Sequence, residues 1–373
     1  MGSGLVDLLE LKRELRRELE SRLSPRERKE ALMDSHARRE PRMCGLTVHP
    51  GRGCSFGCRY CYIEDMGFTG PPTVSNLSGL QLAYALLSNP YFLPSREGTL
   101  LAFGSVTEPF LPKMRERTLE YLRTVRELLG NPAQVSTKCY LNQEDSSKLV
   151  EADPGLSVLV TIPTMDRASE VEPLAPKPEL RFLTIRNLSR LVHVALFLRP
   201  LIPGIAEEEG PRILEIAKES GARGVVFGTL RVTPRIMERM RGIGIRHLED
   251  LLSDRNLRSG RQVPIDASLT KSLLTRMAAG LGLRVFPAAC SANIEAHSLG
   301  CRACDLGPCG GEPPASDARD LEEGLRLCGI DAEVVGIGGR LEVILRDGVR
   351  KEKITRHLVS TASRRKVVIR RNL

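Results

Sequence analysis

The chain has 373 residues, 41% hydrophobic and 27% charged, with 4% aromatic and no Trp. That balance is ordinary for a soluble globular protein and allows roughly two domains, or one barrel with appendages. The net charge of +9 is concentrated at the C-terminus, where residues 350–373 hold nine Lys/Arg against one acidic residue, so the chain before them is nearly neutral.

Residues 5–42 read as a polar, charge-rich helix with i,i+4 pairs, and Leu8, Leu9, Leu11, Leu15 and Leu19 form a stripe expected to pack on the main domain. The apolar run at the N-terminus is far too short for a secretory segment, and the most apolar long stretch, 188–205, is broken by Arg190, Arg199 and two prolines. A cytoplasmic protein with no membrane span is expected. From about 45 to 290, short apolar runs at 45–50, 100–106, 133–138, 157–163, 192–200 and 224–230 alternate with helical patterns. Such alternation implies parallel βαβ units and predicts an α/β fold, a partial (β/α)6-type TIM barrel. Residues 283–292 offer a possible seventh strand, followed by a Gly-, Pro- and Cys-rich loop. Residues 316–373 predict helix, strand, Gly-Gly turn, strand, helix, strand, a small α+β unit. The expected domains are a helical extension at 1–44, the barrel at 45–282, a metal-binding loop at 283–315 and a small basic domain at 316–373. Val367 and Ile369 alternate as in a packed strand, which favours a folded domain over a nucleic-acid-binding tail.

Ten cysteines are unevenly placed. Three lie at 54–61 and four at 290–309, while Cys44, Cys139 and Cys328 are scattered. Clustering of this kind in a cytosolic chain favours metal over disulfides. Cys54, Cys58 and Cys61 are spaced x3 and x2, and thiolates at this spacing bind an iron–sulfur cluster or zinc. Three thiolates on a 4Fe–4S cube leave one iron open to a substrate or cofactor, whereas structural zinc recruits a fourth protein ligand. Cys290, Cys301, Cys304 and Cys309, spaced x10, x2 and x4, suit a closed site: a second 4Fe–4S cluster or a zinc ion. His297, inside that loop, reads as an exposed loop histidine.

The motif Cys54-x3-Cys58-x2-Cys61, with Tyr60 before its last cysteine, resembles the signature of the radical S-adenosylmethionine (SAM) superfamily. "VHPGRGCSFGCRYCYI", "FGSVTEPFLP", "VSTKCYL", "VTIPT", "EPLAPKPELRFLTIRNLSRL" and "LRPLIPGI" follow the order and spacing of its spore photoproduct lyase-like branch, over roughly residues 45–230. The resemblance implies a 4Fe–4S cluster on the three cysteines, with SAM on the open iron. It also implies reductive cleavage of SAM to a 5′-deoxyadenosyl radical that takes hydrogen from substrate, and an electron donor of the ferredoxin or flavodoxin type. Carried over by position, Ser136 and Lys138 would meet the SAM carboxylate or ribose, with Tyr60 beside them. Ser105 and Thr107 would lie near the SAM amino group, Arg199 near the SAM carboxylate or a substrate anion, and the backbone near Phe227 and Gly228 along adenine. Glu108 and Glu172 each precede a proline; Glu172 reads as structural and Glu108 as either. One departure stands out: spore photoproduct lyase returns a hydrogen atom from a cysteine in the segment matching "GSVTEPF", which here has none. Cys139 follows Lys138, and alternation along a strand turns it away.

Nucleic acid is the first candidate substrate, through the basic tail. A peptide, lipid or small molecule, including one that receives sulfur, is the alternative. A non-catalytic nucleic-acid-binding protein carrying zinc or an iron–sulfur cluster is a third reading, which the open three-cysteine loop argues against.

Overall fold

In the computed structural model residues 4–42, 45–245, 248–346 and 351–371 are described; Cys44 and Arg350 fall outside them. Seven strands form one sheet: β1 (Gly45–Val48), β2 (Leu100–Phe103), β3 (Ala133–Thr137), β4 (Ser157–Thr161), β5 (His193–Leu201), β6 (Gly224–Thr229) and β7 (Arg284–Phe286). They lie in chain order, every neighbouring pair parallel. Their near-continuous apolar runs are explained by burial on both faces. Outside are α3 (Gly79–Ser88), α4 (Arg115–Thr124), α5 (Gln143–Ala152), α6 (Pro178–Leu188), α7 (Ile205–Glu219) and α9 (Ser268–Gly280), while α8 (Pro234–Arg241) packs in a separate apolar cluster after β6. Inward-facing Leu159, Ala195, Val226 and Phe286 form a separate cluster within the curve of the sheet. The architecture is a partial TIM barrel.

Residues 283–292 are not one strand. β7 is only three residues long, and helix α10 (Ala289–Ala296) follows it. Cys290 is therefore on a helix, where the sequence reading places a loop. Alanines at 288, 289, 292 and 296 supply the helix propensity that the Cys and Ser residues obscure.

The N-terminal extension contains two helices, α1 (Leu5–Arg22) and α2 (Pro25–Met33). The break is local: Ser24 caps α2 in a reciprocal box with Glu27, and Pro25 takes the first helical position. The leucine stripe of α1 divides between two cores. Leu19 packs with the barrel core, whereas Leu5, Leu8 and Leu9 pack with the C-terminal domain.

That domain has the expected order: α11 (Ala318–Leu327), β8 (Ala332–Ile337), β9 (Arg340–Leu345), α12 (Glu352–Ser363) and β10 (Val367–Arg371). β9 is central, antiparallel to β8 and parallel to β10. Val367 is buried and Ile369 packs against the same core. Many basic groups here have internal partners: Lys366 pairs with Asp305, Arg370 with Glu342, Arg371 with Glu352 and Lys353 with Glu40. Arg364 is buried and donates to the carbonyls of Glu97 and Gly98. Among the described residues no helix is long and apolar enough to cross a membrane.

Candidate active site at the C-terminal ends of the strands

The first cysteine loop leaves the C-terminal end of β1, where barrels carry their chemistry. Gly53 and Gly57 have φ of +82° and +64°, a backbone that only glycine adopts without strain. Neighbouring segments hold the loop on both sides. Gly53 N–H donates to the Val106 carbonyl (3.1 Å), and the Thr107 hydroxyl donates back to the Gly53 carbonyl (2.6 Å). Beyond β4, Arg59 N–H reaches the Val171 carbonyl (2.9 Å), and Leu174 N–H reaches that of Phe56 (3.2 Å).

Cys54, Cys58 and Cys61 all line one cavity of about 350 Å³, with Ser136 and Lys138 at the end of β3. The volume suits a small-molecule cofactor. Burial raises the Cys54 thiol and pushes Cys58 up to about 12, with Lys138 opposing both. Thiols in such surroundings ionise on meeting a cationic centre. Open on one side and backed by a protein cation, the three fit the three-thiolate face of a 4Fe–4S cluster. Among the described residues no three His, Cys, Asp or Glu side chains are already gathered around one ion position, and this holds alike for both cysteine groups.

No protein-family model matches the sequence, and no curated protein matches it. Solved structures do. A spore photoproduct lyase variant with bound AdoMet and dinucleoside spore photoproduct is similar at a TM-score of 0.52 and 14% identity, over 64% of this chain and 75% of that one. A spore photoproduct lyase complexed with the dinucleoside spore photoproduct gives 0.51 and 14%, over 63% and 74%. A radical SAM methyltransferase from Sphaerobacter thermophilus gives 0.44 and 16%, over 66% and 67%. The chain has a radical SAM, spore photoproduct lyase-like fold.

Within this fold the expected residues divide. Tyr60, Ser105, Thr107, Ser136, Lys138 and Arg199 line the cavity with the three cysteines. Thr107 is nonetheless buried, with its hydroxyl engaged by the loop. Arg199 follows Ala195 and Phe197 on the inward face of β5 by simple alternation, just where the register with β6 shifts between Leu198 and Leu201. Its guanidinium lies 5.6 Å from the centre of the Phe197 ring.

Phe227 and Gly228 do not line the cavity. Side chains alternate along β6, so Val226 faces inward and Phe227 packs in the main core beneath the helices. Gly228 is covered by the stem of Arg199: a Cβ there would come within 2.5 Å of Arg199 Cδ. Thr229, Leu230 and Arg231 form that wall instead.

Glu172 has a larger place than its sequence context indicates. It is fully buried beside the cysteine loop. It accepts hydrogen bonds from the Tyr60 hydroxyl and from Arg181 Nη1 (2.5 Å), and lies 3.9 Å from Lys138 Nζ and 4.0 Å from Cys58 Sγ. Arg181, also fully buried, donates to the carbonyls of Pro176 (2.7 Å) and Thr161 (3.1 Å). Burial opposes the charge on Lys138, but Cys58 and Glu172 outweigh it and the Lys138 pKa is raised. The ammonium lies 5.6 Å from the centre of the Tyr60 ring. The sequence reading does not pair Glu172 with Arg181, and the convergence of both with 58, 60 and 138 needed the fold.

Glu108 is buried and accepts from the Thr137 hydroxyl (2.5 Å), Lys138 N–H (2.9 Å) and Phe110 N–H (3.3 Å). It orients the backbone that presents Lys138. Burial raises its pKa against the pull of these donors. Cys139 is buried in the main core, away from the cavity, and burial raises its thiol strongly.

The later cysteines lie elsewhere. Cys290, Cys301 and Cys309 pack in one small cluster, and Cys304 lines a separate cavity of about 450 Å³ with Tyr91, Arg356 and His357. His297 is half-buried at the end of α10, its Nδ1 3.0 Å from the Asn293 carbonyl oxygen, rather than exposed in a loop.

Proposed function

We propose that this chain is a radical SAM enzyme. The observation that carries the reading is the shared cavity: Cys54, Cys58, Cys61, Ser136 and Lys138 line it together, on this fold. The three cysteines would hold a 4Fe–4S cluster with SAM on its open iron. When bound, that pair supplies a 5′-deoxyadenosyl radical for hydrogen abstraction. Lys138 presents a charge partly balanced by Glu172 and receives the SAM carboxylate. Ser136 and Ser105 offer polar contacts to the same molecule. The apolar walls from Leu159, Phe103 and Phe197 exclude water from the reacting atoms. A low-potential donor of the ferredoxin or flavodoxin type, in a reducing cytoplasmic setting, completes the requirement. Cys290, Cys301, Cys304 and Cys309 are proposed to hold a second centre, a 4Fe–4S cluster or zinc.

For substrate, the wall of the cavity favours an anion. Arg199 and Arg231 both line it, and neither makes an ion pair among the described residues. A phosphodiester in nucleic acid is the anion we propose first. The tail supports this less than its charge suggests, because so many of its cations are paired internally. Cys139 lies outside the cavity, so repair through a cysteine hydrogen donor has no support here.

Anaerobic purification, counting of iron and sulfide, and addition of dithionite with SAM test the reading. Formation of 5′-deoxyadenosine supports it. No product, together with iron content unchanged by Cys54→Ala, Cys58→Ala and Cys61→Ala, overturns it. Binding of RNA and DNA oligonucleotides should weaken steeply with salt; a flat response removes the nucleic acid substrate.

A further inference from the structure

Helix α10 runs down the inside of the barrel. At its upper end Ala289 lines the reactive cavity. Ala292 packs against Leu159, Ala195 and Val226, the inward residues of three strands. At its lower end Asn293 Nδ2 donates to the Pro132 carbonyl (3.3 Å), just before β3. Glu295 meets His193 at the start of β5 (3.3 Å) and Arg284 at the start of β7 (2.7 Å). The helix is thus a plug whose first turn is the floor of the cavity. It is only eight residues long, too short to be stable without external support.

That support comes from the segment after it. Residues 297–317 contain only a two-residue ribbon, Gly300–Cys301 against Cys309–Gly310, with Cys301 opposite Cys309. Their apolar core is small: Leu100, Ile294 and Cys301 are its buried members, with Cys290 and Cys309 packed against them. The loop also folds back tightly on Gly307. A side chain there would press on the Cys301 carbonyl (3.3 Å), the Cys304 carbonyl (3.5 Å) and the Cys309 amide (3.6 Å). Cys290, Cys301 and Cys309 therefore converge through their side chains, and Cys301, Cys304 and Cys309 through their backbones. On its outer side the loop is tied to the C-terminal domain, by Arg302 N–H to the Arg364 carbonyl (2.7 Å) and by Lys366 to Asp305 (2.5 Å).

We propose that the four thiolates of Cys290, Cys301, Cys304 and Cys309 bind one closed, thiophilic metal centre that locks the plug helix and so fixes the floor of the reactive cavity. The inference deepens the second centre proposed above and takes from that reading only what the cavity does. A segment with so little apolar core needs a staple, and four sulfurs within twenty residues supply a complete tetrahedral or cubane ligand set. Because all four ligands come from the chain, this centre holds structure and leaves substrate chemistry to the first loop. The link to the cavity is covalent: Cys290 and Ala289 are adjacent.

The test uses the full chain carrying Cys54→Ala, Cys58→Ala and Cys61→Ala, purified anaerobically. Metal and sulfide analysis should still find about one zinc, or about four iron and four sulfide, per chain, which also separates the two centres. Adding Cys301→Ser and Cys309→Ser should remove that metal. Hydrogen exchange at 289–296 should then quicken by about tenfold or more, while α3 is unchanged. If the added substitutions prevent folding, chelator treatment of the parent triple variant gives the same comparison. Absence of metal in the triple variant, retention of metal after Cys301→Ser and Cys309→Ser, a Cys301–Cys309 disulfide under reducing conditions, or unchanged exchange in α10 would each overturn the proposal. Metal retained in the triple variant, with no SAM cleavage by the native chain, would leave this inference standing and remove the enzymatic reading.

Discussion

The two cysteine regions carry the same side chains but hold them in different surroundings on one barrel. The first leaves the C-terminal end of a strand, wraps three thiols around an open cavity, and is braced by hydrogen bonds from the segments after β2 and β4. Beneath it are buried charges: Glu172, Arg181 and Lys138. The second lies at the N-terminal ends of the strands, with a helix on one side, the C-terminal domain on the other, and surface ion pairs around it. Thiol count alone does not distinguish a reactive site from a structural one. Access differs between them: Cys54, Cys58 and Cys61 share a cavity with Lys138, whereas Cys290, Cys301 and Cys309 pack in a small apolar cluster.

The largest effect expected from breaking this contrast is loss of chemistry from the first loop alone. Any one of Cys54→Ala, Cys58→Ala or Cys61→Ala should lower 5′-deoxyadenosine formation by about 10³-fold or more, measured by chromatography after dithionite and SAM. Metal at the second region should be unaffected. Next comes the buried network. Glu172→Gln leaves Arg181 charged and unbalanced in a fully buried position, and should cost about 3–5 kcal/mol in urea unfolding. Glu312→Gln, which removes the exposed partner of Arg302, should cost under about 1 kcal/mol. Equal costs would show that the two regions do not differ in burial as described.

A smaller effect is expected on cofactor affinity. Lys138→Met should weaken SAM binding by about 10–100-fold in calorimetry, the worth of one charge-assisted hydrogen bond. Lys366→Met, beside the second loop, should leave SAM binding unchanged.

The mildest test is acid. Burial holds His49, just ahead of the first loop, down to about 2, and His357, beside Cys304, down to about 4. Both titrate at about 6.5 in the unfolded chain. Between those values the unfolded chain binds the extra proton, so the stability from both is complete above about pH 6.5 and falls as pH falls. The loss ends near pH 4 for His357 and continues toward pH 2 for His49. Urea unfolding at a series of pH values should show this decline, and His49→Gln should flatten it more than His357→Gln.

Much of the barrel was legible because buried parallel strands and the helices between them write different periods into the chain. The first cysteine loop was legible from its spacing, and Lys138 only through the resemblance that placed it at a strand end; both line the cavity. The side chain of Phe227 lies in the core because one step along a strand moves a side chain from cavity to core. Glu172 was undervalued because its partners at 58, 60, 138 and 181 are brought to it from three separate segments. The plug helix was hidden because a short Ala-rich run between Pro and Cys residues reads as loop until the space it fills is known.

By itself, the sequence determined where the cysteines cluster, the alternating barrel and the order of elements in the C-terminal domain, because these are properties of local spacing and periodicity. Only the tertiary structure decided which thiols face a cavity and which face a small closed core. It alone divided the leucine stripe of α1 between two cores and paired much of the basic tail internally. Such outcomes depend on which distant surfaces compete for the same residues, and that competition is settled only when the chain has packed.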